Sequence, residues 1–197
     1  MRNANPELVS SIKKRTLELL MEKEPSEIGM REIAKNCGVS ATAIYHYYKD
    51  KDCLFQEISL DCLSKINSVI ESAADKAASP KEKVLASIRS FRDWSLKNPR
   101  VASLVMEKIK SAVNLSPEET EKFYVCNRTG EKLLELCVEE GSARSENPRL
   151  DVGVLAFGLW GCIQSVISRK SEVEYWENSE PFTERFINMW AENIFVK

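Results

Sequence analysis

Residues 30–54 read MREIAKNCGVSATAIYHYYKDKDCL, and they decide how the chain is understood. Arg31, Glu32, Ile33, Ala34, Lys35 and Asn36 are good or neutral helix formers, with Ile33 and Ala34 on one side. Gly38 then breaks the pattern. Glycine reaches the left-handed backbone region at little steric cost, so it suits the position that closes one helix and turns the chain. Val39 is apolar and can plug the gap between two helices. Ser40 is a good N-cap, because its hydroxyl can accept a hydrogen bond from a first-turn amide. Ala41 to Tyr48 then forms a second helix. Lys49 and Asp50 end it, and Asp50 is placed to cap a third. This is the outline of a helix-turn-helix, whose second helix normally enters the DNA major groove.

The second helix carries the chemistry. Ile44 and Tyr48 are four apart and share a face, which makes them the inward pair. Thr42, Tyr45 and Tyr47 then point outward. Outward tyrosines make sense on a helix that lies against DNA, where a hydroxyl bonds phosphate or a base edge and the ring packs on sugar or a thymine methyl. Small Ala41 and Ala43 allow close approach, and Lys51 can reach backbone phosphates. The competing reading is an ordinary aromatic-rich core helix; the turn and the caps argue against it.

These residues resemble the tetracycline-repressor (TetR) family of bacterial transcription regulators. The resemblance rests on Ile33-Ala34, the Gly38-Val39-Ser40 turn, the run Ile44-Tyr45-His46-Tyr47-Tyr48, and Lys49, Lys51 and Leu54 in register. It covers about the first quarter of the chain. One departure lies upstream, where the family often has a Gly-aromatic pair and a hydroxyl cap; this chain has Glu24-Pro25 and Gly29 there. The resemblance implies an all-α protein with two parts. Residues 1–52 form a three-helix DNA-binding head with the helix-turn-helix, and residues 53–197 form a helical ligand-binding and dimerisation domain. The expected DNA-contacting set is Ser40, Ala41, Thr42, Tyr45, His46, Tyr47 and Lys51.

Composition agrees with a globular regulator. Hydrophobic residues make up 43% and charged residues 29%, a folded rather than a disordered balance. The formal charge is −2, not the strongly basic balance of a non-specific nucleic-acid binder. Residues 1–52 hold 9 Lys and Arg against 8 Asp and Glu, and the remainder holds 19 against 22. DNA affinity must therefore come from local placement. The N-terminal run MRNANPELVSSIKKRT lacks the apolar core of a secretory signal, and no stretch is expected to span a bilayer, so the expected location is cytoplasmic. Six cysteines, none in a Cys-x-x-Cys spacing, read as reduced core residues. The single histidine, His46, leaves no second histidine for a metal site or a Ser-His-Asp array. No glycine-rich phosphate loop is present. No catalytic residue, metal or cofactor is expected.

Everything else reads as helix. Asn5-Pro6-Glu7 opens the first, since proline is favoured at the first helical position. Lys13, Lys14 and Arg15 lie in its middle, either solvated or against phosphate. The third helix runs on from Asp50, with Phe55, Ile58, Cys62, Ile66 and Val69 as its apolar stripe. It joins head to body, so tilting it would move the head. Ser79-Pro80-Lys81-Glu82 and Ser116-Pro117-Glu118-Glu119 are capping boxes. Asn98-Pro99 separates two helices, Gly141 stops one, and Asn147-Pro148 and Ser179-Glu180-Pro181 open the last two.

Two stretches in the body bear on function. Residues 155–167 are apolar nearly all round and are expected to be buried on more than one side, with Gly158 and Gly161 leaving room for close helix approach or for a cavity. By the resemblance, this helix and the last one (Phe182, Phe186, Met189, Trp190, Ile194, Phe195) form a four-helix dimer interface. An effector is placed, again by resemblance, among Phe91, Trp94, Met106, Phe123, Asn127, Trp160 and Gln164. The expected protein is thus a homodimeric, DNA-binding transcriptional regulator. It is a repressor released from a palindromic operator by a small, largely apolar effector. The alternative is a helical ligand-binding or protein-interaction module that does not bind DNA.

Overall fold

A computed structural model describes residues 5–111, 115–168 and 180–196, and the side chains of all of these except 110, 111, 168 and 180. Among the described residues the regular structure is helical. The helices are α1 (Pro6–Glu22), α2 (Met30–Asn36), α3 (Ala41–Tyr45), α4 (Lys51–Ala74), α5 (Pro80–Lys97), α6 (Pro99–Ser111), α7 (Pro117–Glu139), α8 (Pro148–Ser168) and α9 (Glu180–Ile194), with a 3-10 turn at Pro25–Glu27. Proline opens α1, α5, α6, α7 and α8. Its fixed φ suits the first turn, and its missing N–H costs nothing there. The capping box expected at α5 is formed: Glu82 accepts the Ser79 N–H at 3.1 Å, and Ser79 Oγ accepts the Glu82 N–H at 3.3 Å. Asn147 Oδ1 accepts the Leu150 N–H at 3.0 Å at the start of α8. Ser179 lies outside the described residues.

The chain groups into two compact units, residues 1–62 with 98–116 and residues 63–97 with 117–197. The core of the first unit is Ile12, Leu20, Ile33, Ile44, Leu54, Phe55 and Ile58, all 2% exposed or less. Three ion pairs brace it. Lys13 of α1 meets Glu57 at 2.5 Å and Asp61 at 2.7 Å on α4. Lys23 meets Glu32 at 2.5 Å. α6 belongs with this unit through Arg100, which donates to Met21 O at 2.9 Å and Glu24 at 3.0 Å, and through Lys108, which donates to Asp52 at 2.8 Å. Val69 corrects the expected stripe on α4: it is exposed, and Ile70 is buried instead. The spacing from Ile66 is four residues rather than three, and either keeps a helical face.

The second unit packs α7, α8, α9 and α5. Gly158 on α8 faces Phe186 on α9 so closely that a Cβ there would lie 2.3 Å from the ring. A Cβ at Gly130 on α7 would lie 3.0 Å from Val152 on α8. Glycine at these points permits a helix approach that any side chain would widen. Gly161, by contrast, faces open space. α9 is tied to α5 by Glu184, which accepts from Arg89 at 2.7 Å and also from Arg92. α7 ends at Gly141 with φ +73°, where Ser142 N–H donates to Cys137 O at 2.8 Å. The chain just beyond α9 returns there: Ala143 and Phe195 form an antiparallel bridge, with Arg144 N–H on Ile194 O and Val196 N–H on Ser142 O.

α8 departs from expectation twice. By length and composition, residues from Pro148 to Ile167 could cross a membrane, so the expectation that no stretch could do so is corrected. Nor is α8 buried all round. Leu155, Leu159, Trp160 and Ile163 are buried, whereas Leu150, Val154 and Phe157 are 57–61% exposed. All six cysteines are free thiols; Cys62 and Cys137 are buried, while Cys53 is exposed and is not a core residue. No group of three metal-ligating side chains occurs among the described residues.

Gly158→Ala is expected to destabilise the protein by about 1–3 kcal/mol in urea denaturation, and adding Phe186→Leu should recover part of it. The bond from Arg89 is the largest influence on the Glu184 carboxyl; burial opposes it, but with Arg92 added the arginines hold the carboxyl below its ordinary 4.5. A depressed carboxylate stabilises the fold above its unfolded pKa and loses that effect as pH falls through the folded one. Glu184→Gln should therefore cost about 0.5–1 kcal/mol at pH 7, given the partial exposure of the group, with the difference shrinking below pH 4.5.

Candidate nucleic-acid interface

The geometry of the interface starts at the end of α2. Gly38 has φ +67°. Its N–H donates to Lys35 O at 3.2 Å, and the Val39 N–H donates to Ala34 O at 3.0 Å. This is the Schellman arrangement, and it satisfies carbonyls that the helix end would otherwise leave bare. Two residues later Ser40 caps α3, its Oγ accepting the Ala43 N–H at 3.2 Å. Gly29, which caps α2, offers no side chain; its carbonyl takes the Glu32 N–H at 3.0 Å.

α3 is shorter than expected. It spans Ala41–Tyr45, and His46 and Tyr47 form a turn rather than a last helical coil. The backbone still closes, with Tyr47 N–H and Tyr48 N–H both donating to Ile44 O. Ile44 and Tyr48 are the buried pair, at 0% and 4% exposure. Burial, then the nearby carboxylates of Glu57 and Asp61, raise the Tyr48 phenol well above its ordinary range. Asp50 caps α4 by accepting the Cys53 N–H at 2.8 Å, which holds its carboxyl below the usual range.

The outward residues divide into two sets. Thr42, Tyr45 and His46 are exposed, with Tyr45 at 51%. Ser40 is exposed but its hydroxyl is engaged as the cap, and Ala41 is half-buried. Tyr47 is half-buried, and its hydroxyl accepts the Asn5 N–H at 3.4 Å, so it also touches the start of α1. Lys51 is half-buried. Its Nζ donates to Pro25 O at 3.0 Å and stands 5.5 Å from the centre of the Phe55 ring. Lys13, one of the three basic residues in α1, faces Glu57 and Asp61 rather than solvent or phosphate. Burial opposes its charge, but the bonds to Asp61 and Glu57 outweigh that and raise its pKa. Lys14, Arg31, Lys35 and Lys49 are exposed in the same unit. Lys49, read from the sequence as a helix end and as part of the resemblance, was not in the expected contact set, although it places a cation next to the outward face of α3.

The residues expected to hold an effector are spread over two units. Met106 is buried in the first. In the second, Trp160 is buried, Phe91, Trp94, Phe123 and Gln164 are half-buried, and Asn127 is exposed.

Residues 12–58 match the family model described as bacterial regulatory proteins, tetR family. An HTH-type transcriptional regulator of Mycobacterium tuberculosis is 25% identical over 121 residues, covering 60% of this chain and 52% of the relative. A Mycobacterium bovis regulator of the same description matches equally well. The chain thus spans about half the length of the curated relatives it matches. Among solved structures, a tetR-family bacterial regulatory protein from Rhodococcus RHA1 superposes with a TM-score of 0.70 at 18% identity, covering 96% of this chain and 98% of that one. The fatty acid degradation regulator FadR from Bacillus halodurans gives 0.70 at 16% identity, covering 94% and 97%. At these identities the structural likeness establishes a shared fold.

Proposed function

We propose that this chain, which belongs to the TetR family of bacterial regulatory proteins, is a homodimeric transcriptional repressor that leaves a palindromic operator when a small, largely apolar effector binds. The observation that carries the DNA-binding reading is the exposed side of α3. Thr42 and Tyr45 on α3 and His46 just after it stand outward, and Ile44 and Tyr48 anchor the segment from behind. A hydroxyl, a phenol and an imidazole can all bond phosphate or base edges. Ser40, Ala41, Tyr47 and Lys51 complete the contact set. Ser40 and Ala41 let the helix N-terminus approach a phosphate, and Lys51 exchanges the Pro25 carbonyl for one.

Dimerisation is supported by the open side of α8. Leu150, Val154, Phe157 and Gly161 recur at spacings of four, three and four, and all are exposed. Met189 on α9 adds a 48% exposed side chain. A stripe of this kind marks an interaction face, and a palindromic site calls for a two-fold protein. The effector set carried forward is Phe91, Trp94, Phe123, Asn127, Trp160 and Gln164 of the second unit, of which Asn127 is exposed. Differential affinity of a few kcal/mol between two head spacings is enough to release the operator. DNA binding of this kind makes the protein cytoplasmic.

On a duplex selected by the protein, Tyr45→Ala should weaken binding about tenfold or more while the circular dichroism melt stays unchanged. Equal affinity in a folded variant would leave the head without a DNA role and favour a ligand-binding module. Lys51→Ala should flatten the salt slope of log affinity by about one; an unchanged slope leaves Lys51 to Pro25 alone. Phe157→Glu should convert the dimer to monomers in sedimentation velocity, and a dimer that persists would move the interface away from α8.

A further inference from the structure

Asn67 stands on a stripe of α4 where the fold otherwise uses apolar side chains. Leu63, Asn67, Ile70 and Ala74 recur at spacings of four, three and four, and each is 5–6% exposed. Two neighbours in the same unit reach this stretch. The Cys126 thiol of α7 donates to Leu63 O at 3.4 Å, and the Ser87 hydroxyl of α5 donates to Ile70 O at 3.4 Å. Asn67 lies between those two levels along α4, and its buried Oδ1 accepts no hydrogen bond from the protein. Enclosed polar atoms are nearly always paired, because an unpaired acceptor forfeits its bonds to water and gains nothing in return. A leucine at this position would extend the apolar stripe without that cost. No protein group bonds this acceptor, so a donor from outside the chain can take it.

We propose that Asn67 is the hydrogen-bonding anchor of the effector, and that the effector is a neutral, largely apolar molecule carrying an N–H or O–H donor. This rests on the effector-binding reading given above and narrows its ligand class. A hydroxyl, a primary or secondary amide, or a protonated acid can donate to Oδ1; a carboxylate, ether or ester has only acceptors to offer. The bound donor removes the penalty of the enclosed acceptor, so its contribution is larger than that of the same bond formed at the surface. A bound donor supplies the partner that no protein group gives Oδ1.

The test uses matched probes that differ in the donor: naphthol against methoxynaphthalene, decanol against decyl methyl ether, and decanamide against methyl decanoate. Each is titrated into the full-length protein with tryptophan fluorescence as the readout. The expected result is that at least one donor probe binds about tenfold tighter than its partner, and that Asn67→Leu abolishes the preference while still binding the donor-free member. Should leucine prevent folding, Asn67→Ala removes the acceptor without added bulk and carries the same readout. Equal binding within every pair, or a preference that survives in the Asn67 variant, overturns the proposal. Failure of all six probes to bind the wild-type protein overturns the ligand class. Operator binding is measured on the same wild-type samples. Its absence would defeat the regulator reading on separate grounds, whatever the probes do.

Discussion

The position of α3 depends on one backbone constraint, the left-handed turn at Gly38. With φ at +67°, the chain closes α2 through the Lys35 and Ala34 carbonyls and brings Ser40 into place as a cap within two residues. Any side chain at that φ is strained, so the sequence has little choice of residue there. Once the turn is set, Ile44 and Tyr48 fall into the core of the unit, and Thr42 and Tyr45 must face away from it. The exposed side of α3 is thus a consequence of the turn and of a two-residue anchor. It does not require a long helix: α3 spans only Ala41–Tyr45.

The second unit depends on contact of another kind. Gly158 lets α9 lay the ring of Phe186 against the backbone of α8, and the Arg89–Glu184–Arg92 cluster holds α9 to α5. Together with the bridge between Ala143 and Phe195, these fix the inner side of α8 and α9. The outer side of α8 keeps Leu150, Val154 and Phe157 exposed. Placing apolar residues on both sides of one helix makes sense when the inner side serves the protomer and the outer side serves a partner. The same composition gives α8 its membrane-like appearance.

Much of this was legible in the sequence because it is local. Ser40 and Asp50 cap the helices they were expected to cap, α1 opens at Asn5-Pro6 as expected, and Gly38 and Gly141 both take positive φ. Capping and turn chemistry act within four residues, so residue type and spacing suffice to read them. What could not be read acts at long range. Lys13 and Lys51 bond partners 48 and 26 positions away, at Asp61 and Pro25, which local spacing does not reveal. The grouping of residues 98–116 with residues 1–62 rests on Arg100 and Lys108 meeting Glu24 and Asp52, which no periodicity reveals. Of the three glycines on α8, only Gly158 meets a close neighbour, a choice made by where Phe186 lands. Val69 and Ile70 were interchangeable by spacing, and tertiary packing chose Ile70. The candidate effector residues were the least legible, since aromatic side chains at helical spacing serve a core and a ligand alike.

The central claim is that the exposed side of α3 reads a specific, two-fold DNA site. It is tested most directly by selection of binding sequences from a pool of random duplexes with the purified protein, followed by sequencing over successive rounds. The account predicts enrichment of one palindromic sequence, with half-sites centred about one helical turn apart, or a small multiple of it, and two protomers bound per site. A pool that shows no enriched sequence after selection, with retention that depends on salt but not on sequence, would contradict it.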